Sequence, residues 1–159
     1  MSTEKNYLYT DVAIVGGGLA GLSAAIVLRA ARPDLQVCVL DKGRSAGSHA
    51  LSGCVLEPQA LEALAGYVSD EALRKKIMAE AGLRVVRDQT LVLAGRRLKF
   101  AISPLIRLGK MLGLGFGQMS HRGDAIVSVA RVTRLLAEAA QKMGAEVYYG
   151  FSVESALTD

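Results

Sequence analysis

The sequence predicts an α/β fold organised on a parallel sheet, and three features of its opening stretch carry that prediction. Two short β-branched runs, Val12 to Val15 and Val37 to Leu40, have the length and composition of buried strands. Between them lie thirteen residues, Leu19 to Ala31, rich in Ala and Leu, which read as a helix broken only by Gly21. The strand and helix are joined by glycines at the spacing Gly16-x-Gly18-x-x-Gly21. Strand, glycine turn, helix and strand in this order make a βαβ unit of the Rossmann type.

Each part of this unit has a physical task. Gly16 lets the chain leave the strand in a tight turn, and Gly18 has no side chain to keep a pyrophosphate from the backbone. Gly21 lets the helix lie close to the strands. Leu19 and Ala20 open the helix, where free N–H groups and about half a positive charge face the phosphates. Arg32-Pro33-Asp34 ends it, because proline disfavours helical geometry in the residue before it. Asp41 closes the second strand, twenty residues past Gly21, where a carboxylate accepts from a ribose diol and repels a 2′-phosphate. Lys42 follows it and is counted with the cofactor-binding residues. A lone GxGxxG is a weak signal; here the strands, helix and acid accompany it in order.

Composition bounds the rest. A chain of 159 residues, 51% hydrophobic and 21% charged, buries a core and is globular rather than disordered. The net charge of +4 is modest, and five Tyr and three Phe with no Trp offer few platforms for stacking bases, so nucleic acid is not an expected partner. Cys38 and Cys54 have no CxxC spacing and indicate neither a disulfide framework nor a zinc or iron–sulfur site. The polar start, MSTEKNYLYT, is not a secretory signal, and no run of 18 apolar residues spans a membrane. The expected compartment is reducing and cytoplasmic.

The stretch after Asp41, KGRSAGSHALSGCVLEPQAL, reads as a Gly- and Ser-rich loop. Loops at the carboxyl ends of parallel strands lie where ligands bind, so His49, Ser52 and Gly53 are candidates for cofactor contact. A solvated connector is the equal alternative. DVAIVGGGLAGLSAA together with GSHALSGCVLEPQAL resembles the electron-transfer-flavoprotein:ubiquinone oxidoreductases, glutathione-reductase-like flavoproteins related to the geranylgeranyl reductases. The resemblance implies that FAD is the cofactor. Gly16, Gly18 and Gly21 would then hold its pyrophosphate and Asp41 its adenosine ribose, with His49, Ser52 and Gly53 nearer the flavin. That family more often has glutamate at the place of Asp41, one methylene longer.

From Glu57 to Gly82 the pattern is helical, with Leu61, Leu64 and Val68 on one face, Ser69 or Asp70 as a cap for Glu71 to Ala81, and Gly82 as a stop. Leu83 to Arg87 reads as a strand, and Thr90 to Ala94 and Arg97 to Ile102 as a hairpin about Gly95-Arg96. The stretch from Ile102 to Met119 is apolar, carries Arg107 and Lys110, and holds four glycines that weaken any helix. A core-lining loop is the expectation there. A mobile lid, or an interfacial segment seating Leu and Phe in a bilayer, are the alternatives, and the resemblance implies a peripheral seat on an inner membrane.

Asp124 to Val127 reads as a short strand, Val129 to Met143 as a helix capped by Ser128, and Ala145 to Tyr149 as a third parallel strand after Gly144. Many relatives carry an arginine near the flavin where this chain has Ser128; Arg131, one turn on, is the candidate substitute. Val153 falls where the family lines the adenine pocket. Nine Lys or Arg against two acids between Arg96 and Lys142 read as a solvated basic face, or as attraction to an anionic membrane or acidic partner.

The expected organisation is a first part of an FAD-binding domain over 1–82, inserted strands and an apolar loop of a substrate-side domain over 83–123, and a return to the FAD-binding domain over 124–159. The resemblance covers nearly all of this chain but only the front of the family, so the reading is an N-terminal portion without the family's iron–sulfur region, inactive alone. The expected activity is electron transfer from a reduced electron-transfer flavoprotein towards quinone, with the chemistry in the flavin and no catalytic side chain. A flavin-dependent reductase or hydroxylase of a lipid-like substrate, and a non-catalytic nucleotide-binding module, are the alternatives.

Overall fold

The computed structural model describes residues 7–50, 53–94, 98–115 and 119–156. Ser52, the Gly95-Arg96 turn and Phe116 lie outside these. Strand β1 (Val12–Val15) leads through the glycine turn into α1 (Leu19–Ala31) and back to β2 (Val37–Asp41). The two strands are parallel, with Val12 beside Val37 and Val15 beside Leu40. Then come β3 (Cys54–Leu56), α2 (Pro58–Gly66) and α3 (Glu71–Glu80). The hairpin β4 (Leu91–Ala94) and β5 (Leu98–Ala101) runs into α4 (Ser103–Met111). Strand β6 (Ala125–Val127), α5 (Val129–Lys142) and β7 (Glu146–Tyr149) complete the described chain.

The main sheet has the order β1-β2-β7, all parallel. Helices α1 and α5 pack along each other on one face of it. Alternation selects Val12, Ile14, Val37, Val39 and Val147 for that face, where they meet Leu22, Ile26, Val132 and Leu136. Residues at three- and four-residue spacing on α5, among them Val132, Leu136, Ala139 and Ala140, are buried for the same reason. Helix α3 leans on α5, with Leu73 and Ile77 in the shared core. Asp70 caps α3, its Oδ1 accepting the Leu73 amide at 2.9 Å.

Arg29 ties the far end of this layer together. Its Nε donates to the Met143 carbonyl at the end of α5, and its Nη1 donates to the carbonyls of Pro33 and Leu35. Gly144 stands against it at φ +90°, where an added Cβ would lie 2.7 Å from Arg29 Nη2.

Four expectations are corrected. Leu83 to Arg87 is not a strand: a single bridge joins Arg84 to Ala125. The segment runs beside β6 with Leu83 and Val86 exposed and no partner strand on its other side among the described residues. Conversely Cys54–Leu56, read as loop, is a strand pairing antiparallel with β6. Ser128 stands at the α5 N-cap, yet its side chain makes no capping bond. Finally, the apolar stretch is not a core-lining loop. Ser103–Met111 is a helix with proline in its first turn, where the missing N–H costs nothing. It buries Ile106 and Gly109 but leaves Leu105, Leu108, Met111 and Leu112 exposed.

Candidate dinucleotide-binding site

The three glycines of the first turn are each required for a different reason. Gly16 has φ +101°, a left-handed conformation that side chains disfavour, and its amide donates to the Leu40 carbonyl at 2.8 Å. A Cβ on Gly21 would lie 2.0 Å from the Gly16 carbonyl oxygen, so only glycine lets α1 start this close to β1. A Cβ on Gly18 would meet nothing within 4 Å. That position is therefore not a packing glycine: it borders open space in front of the helix. Gly18 is also the N-cap of α1 and supplies no side-chain cap, so the first-turn amides remain available to an anion.

Asp41 is bonded into this turn. Its Oδ2 accepts the amide of Gly17 and its Oδ1 the amide of Gly43, both at 2.7 Å. Two carboxylate oxygens offer about four acceptor positions, so room remains for ribose hydroxyls. Tyr149 stands beside Asp41 in the β2–β7 register. Burial, and then the Asp41 charge, raise its phenol above the ordinary tyrosine value. Past β7, Gly150 and Phe151 donate their amides to the carbonyls of Gly43 and Asp41, which fixes the outer rim.

The loop after β2 folds back over the glycine turn and closes a groove of about 220 Å³. Gly17, Gly18, Leu19 and Asp41 form one wall, Gly47 to Ala50 the second, and Val129 and Thr133 from α5 the third. Two glycines make this possible. Gly47 has φ +74°, and a Cβ there would sit 2.7 Å from the Ala130 carbonyl. A Cβ on Gly43 would lie 2.5 Å from Ser48 Oγ, 2.7 Å from Asp41 Oδ1 and 3.4 Å from His49 Nδ1. Three polar side chains thus converge on the space that Gly43 leaves free.

Of the residues read from the sequence, Gly18, Leu19, Asp41 and His49 line the groove, while Gly16 and Gly21 shape it. Ala20 is exposed on α1, and Lys42 is exposed beyond Asp41. Gly53 lies at the start of β3, against the Val127 carbonyl. Val153 stands beyond the β7 rim, outside the groove lining. Arg131 does not take the place of an arginine at Ser128: its guanidinium pairs with Glu80 at 2.8 Å and is directed to α3. Sequence reasoning missed Gly17, Gly43, Gly47, Ser48, Val129 and Thr133. The Gly43-x-x-x-Gly47 spacing was the available signal for the loop. The contribution of α5 is a tertiary contact that no local pattern shows.

A parallel sheet with a glycine turn bound to the acid of the second strand, and an uncapped helix facing an open groove, defines a dinucleotide-binding domain. The family model for FAD dependent oxidoreductases matches residues 11–159, and the chain belongs to that family. Among curated proteins it is 36% identical to the electron transfer flavoprotein-ubiquinone oxidoreductase of Pseudomonas aeruginosa, covering 98% of this chain and 26% of that protein. It is 35% identical to the mitochondrial enzyme of the same name from Oryza sativa, covering 100% of this chain and 25% of that protein. The chain thus spans about a quarter of the length of these relatives. Among solved structures, CtdE in complex with FAD shares the fold at TM-score 0.51 and 21% identity, over 90% of this chain and 30% of that one. FqzB does so at TM-score 0.57 and 19% identity, over 93% and 30%.

Proposed function

We propose that this chain is the FAD-binding portion of an oxidoreductase that passes electrons from a reduced electron-transfer flavoprotein to a membrane-soluble quinone. The observation that carries the acceptor side is helix α4. It presents Leu105, Leu108, Met111 and Leu112 to solvent, next to a hairpin whose Leu91, Val92, Leu93 and Phe100 are also exposed. An apolar surface of this extent beside Arg107 suits contact with lipid, where a quinone resides. The names of the relatives agree with this acceptor. On this reading residues 1–82 and 124–159 serve the cofactor and 83–123 serve the acceptor side.

The groove residues fit FAD. Amides at Gly18 and the first turn of α1 would donate to the pyrophosphate, and Asp41 would accept from the adenosine ribose. Ser48, His49 and the uncapped start of α5 would border the chain towards the flavin. Bound there, FAD would supply the redox chemistry through its isoalloxazine ring.

The test is a quinone-reduction assay with the flavin-loaded protein that carries this sequence, using a reduced flavoprotein as donor. Flavin that is reduced by the donor but not reoxidised by a short-chain quinone would reject the acceptor.

A further inference from the structure

A cavity of about 440 Å³ lies apart from the dinucleotide groove and shares no lining residue with it. Val55, Glu57, Lys110, Leu114, His121 and Asp124 border it. Its floor is a tight turn. The Asp124 amide donates to the His121 carbonyl at 3.0 Å, and Gly123 holds φ +93° between them. The turn is fixed from outside by the Val85 carbonyl, which accepts the Gly123 amide, and by Asp88 Oδ2, which accepts the His121 amide at 2.9 Å. Within it, His121 Nδ1 and Asp124 Oδ2 lie 3.0 Å apart. A carboxylate only accepts, so Nδ1 carries the hydrogen of this bond and Nε2 is the ring nitrogen left for a ligand.

Lys110 faces the same cavity from the inner side of α4. Its ammonium donates to the Ser120 carbonyl at 3.2 Å, which leaves two of its three hydrogens. The cavity therefore offers the Lys110 ammonium as one donor and, in the protonated imidazole, His121 Nε2–H as a second, with Val55 and Leu114 as apolar walls and Glu57 as the further charged neighbour. A neutral planar ring bearing two carbonyl oxygens matches this set.

We propose that His121, positioned by Asp124, is the proton donor to a quinone held in this cavity, with Lys110 bound to the second carbonyl; this rests on the quinone reading above. The balance is simple. With a reduced flavin as the two-electron donor, the quinone would take one proton from Nε2 of protonated His121 and the second from the Lys110 ammonium, and so become the quinol. The Nε2–H bond and one Nζ–H bond would break, an O–H bond would form on each ring oxygen, and the imidazole and amine would regain their protons from solvent.

The test compares quinone with ferricyanide, which takes electrons without protons, in the flavin-loaded protein and its His121→Gln and Asp124→Asn variants. His121→Gln should lower the ratio of quinone to ferricyanide turnover about a hundredfold, the usual weight of a positioned acid. Asp124→Asn should lower kcat for quinone about tenfold with KM unchanged. Independently, a quinone added to the oxidised wild-type protein should shift the His121 Nε2 signal in ¹⁵N-histidine NMR. Unchanged turnover ratios in His121→Gln, or an unmoved Nε2 signal, would overturn the assignment alone. Wild-type protein that reduces ferricyanide but no quinone would overturn the functional reading as well. Should the variants not fold, the NMR titration decides.

Discussion

The Asp41 carboxylate and the Gly17 amide are joined by a 2.7 Å hydrogen bond that ties the end of β2 to the glycine turn after β1. The acid proposed for the ribose and the turn proposed for the phosphates are thus one mechanical unit. A charge-assisted bond from the adenosine ribose to this carboxylate would contribute about 1.5–3 kcal/mol. Asp41→Ala should therefore weaken FAD binding by roughly ten- to hundredfold, since about 1.4 kcal/mol is a factor of ten. Flavin fluorescence titration of both proteins measures it. NADPH should bind poorly to the wild type, and preferential NADPH binding would contradict the assignment of Asp41.

Gly18 and Gly21 should separate binding from folding. Gly18→Val adds its side chain into open space, so the variant should fold and lose FAD. Gly21→Ala drives a Cβ to 2.0 Å from the Gly16 carbonyl oxygen and should instead lower stability, by at least the about 1–3 kcal/mol typical of overpacking. Denaturant midpoints and FAD titrations on both variants give the comparison. A Gly18→Val protein with wild-type affinity would remove this glycine from the site.

These elements were legible in the sequence because their causes are local. The length of β1, the Ala- and Leu-rich α1 and the Pro33 stop are properties of neighbouring residues, and the structure gives α1 the bounds Leu19–Ala31. The strand β3 was not legible, because three residues after a Gly-Ser loop carry no periodicity and are strand only through β6, some seventy positions on. Helix α4 was not legible, because four glycines between Ile102 and Met119 lower helix propensity across the stretch. Gly109 is in fact buried within this helix. The third wall of the groove was invisible for the same reason as β3: Val129 and Thr133 reach the glycine turn only through the packing of α5 on α1.

Arg29 should be a stability residue with no part in binding. It satisfies the Met143, Pro33 and Leu35 carbonyls, which close α5 and lead into β2. Arg29→Met keeps the aliphatic stem and strips these donors, which should cost about 1–3 kcal/mol through unpaired carbonyls. The expected result is a lower denaturant midpoint with FAD affinity unaltered in the folded protein. An unshifted midpoint would show that water replaces the guanidinium without loss.

Asp70 should govern part of the acid stability. The Lys142 ammonium, and then the Leu73 amide, hold its carboxyl below the ordinary aspartate value. A lowered folded-state pKa stabilises above the unfolded value of about 3.9 and ceases to do so as pH falls through the lowered one. Asp70→Asn should therefore reduce stability at neutral pH and flatten its decline between about pH 5 and pH 2. Thermal midpoints across that range decide the matter; parallel curves for the two proteins would exclude the linkage.

Helix α4 should bind lipid through one side. Leu105, Leu108, Met111 and Leu112 are 59%, 47%, 77% and 60% exposed, and at helical spacing they form a continuous arc bordered by Arg107. Ile106 and Gly109 face inward, and Lys110 is held by the Ser120 carbonyl, so the helix is fixed on its opposite side. Burying a leucine side chain is worth about 1.5–3 kcal/mol, and one basic residue near an anionic surface adds about 1 kcal/mol. Leu108→Glu should then lower liposome binding at least tenfold, while Arg107→Gln should lower it less and only on anionic vesicles. Neither change touches the buried side, so circular dichroism and the thermal midpoint should stay as in the wild type. The measurement is sedimentation with phosphatidylcholine vesicles, with and without phosphatidylglycerol, at two salt concentrations. Wild-type protein that sediments with neither vesicle would mean that this apolar arc meets protein rather than lipid.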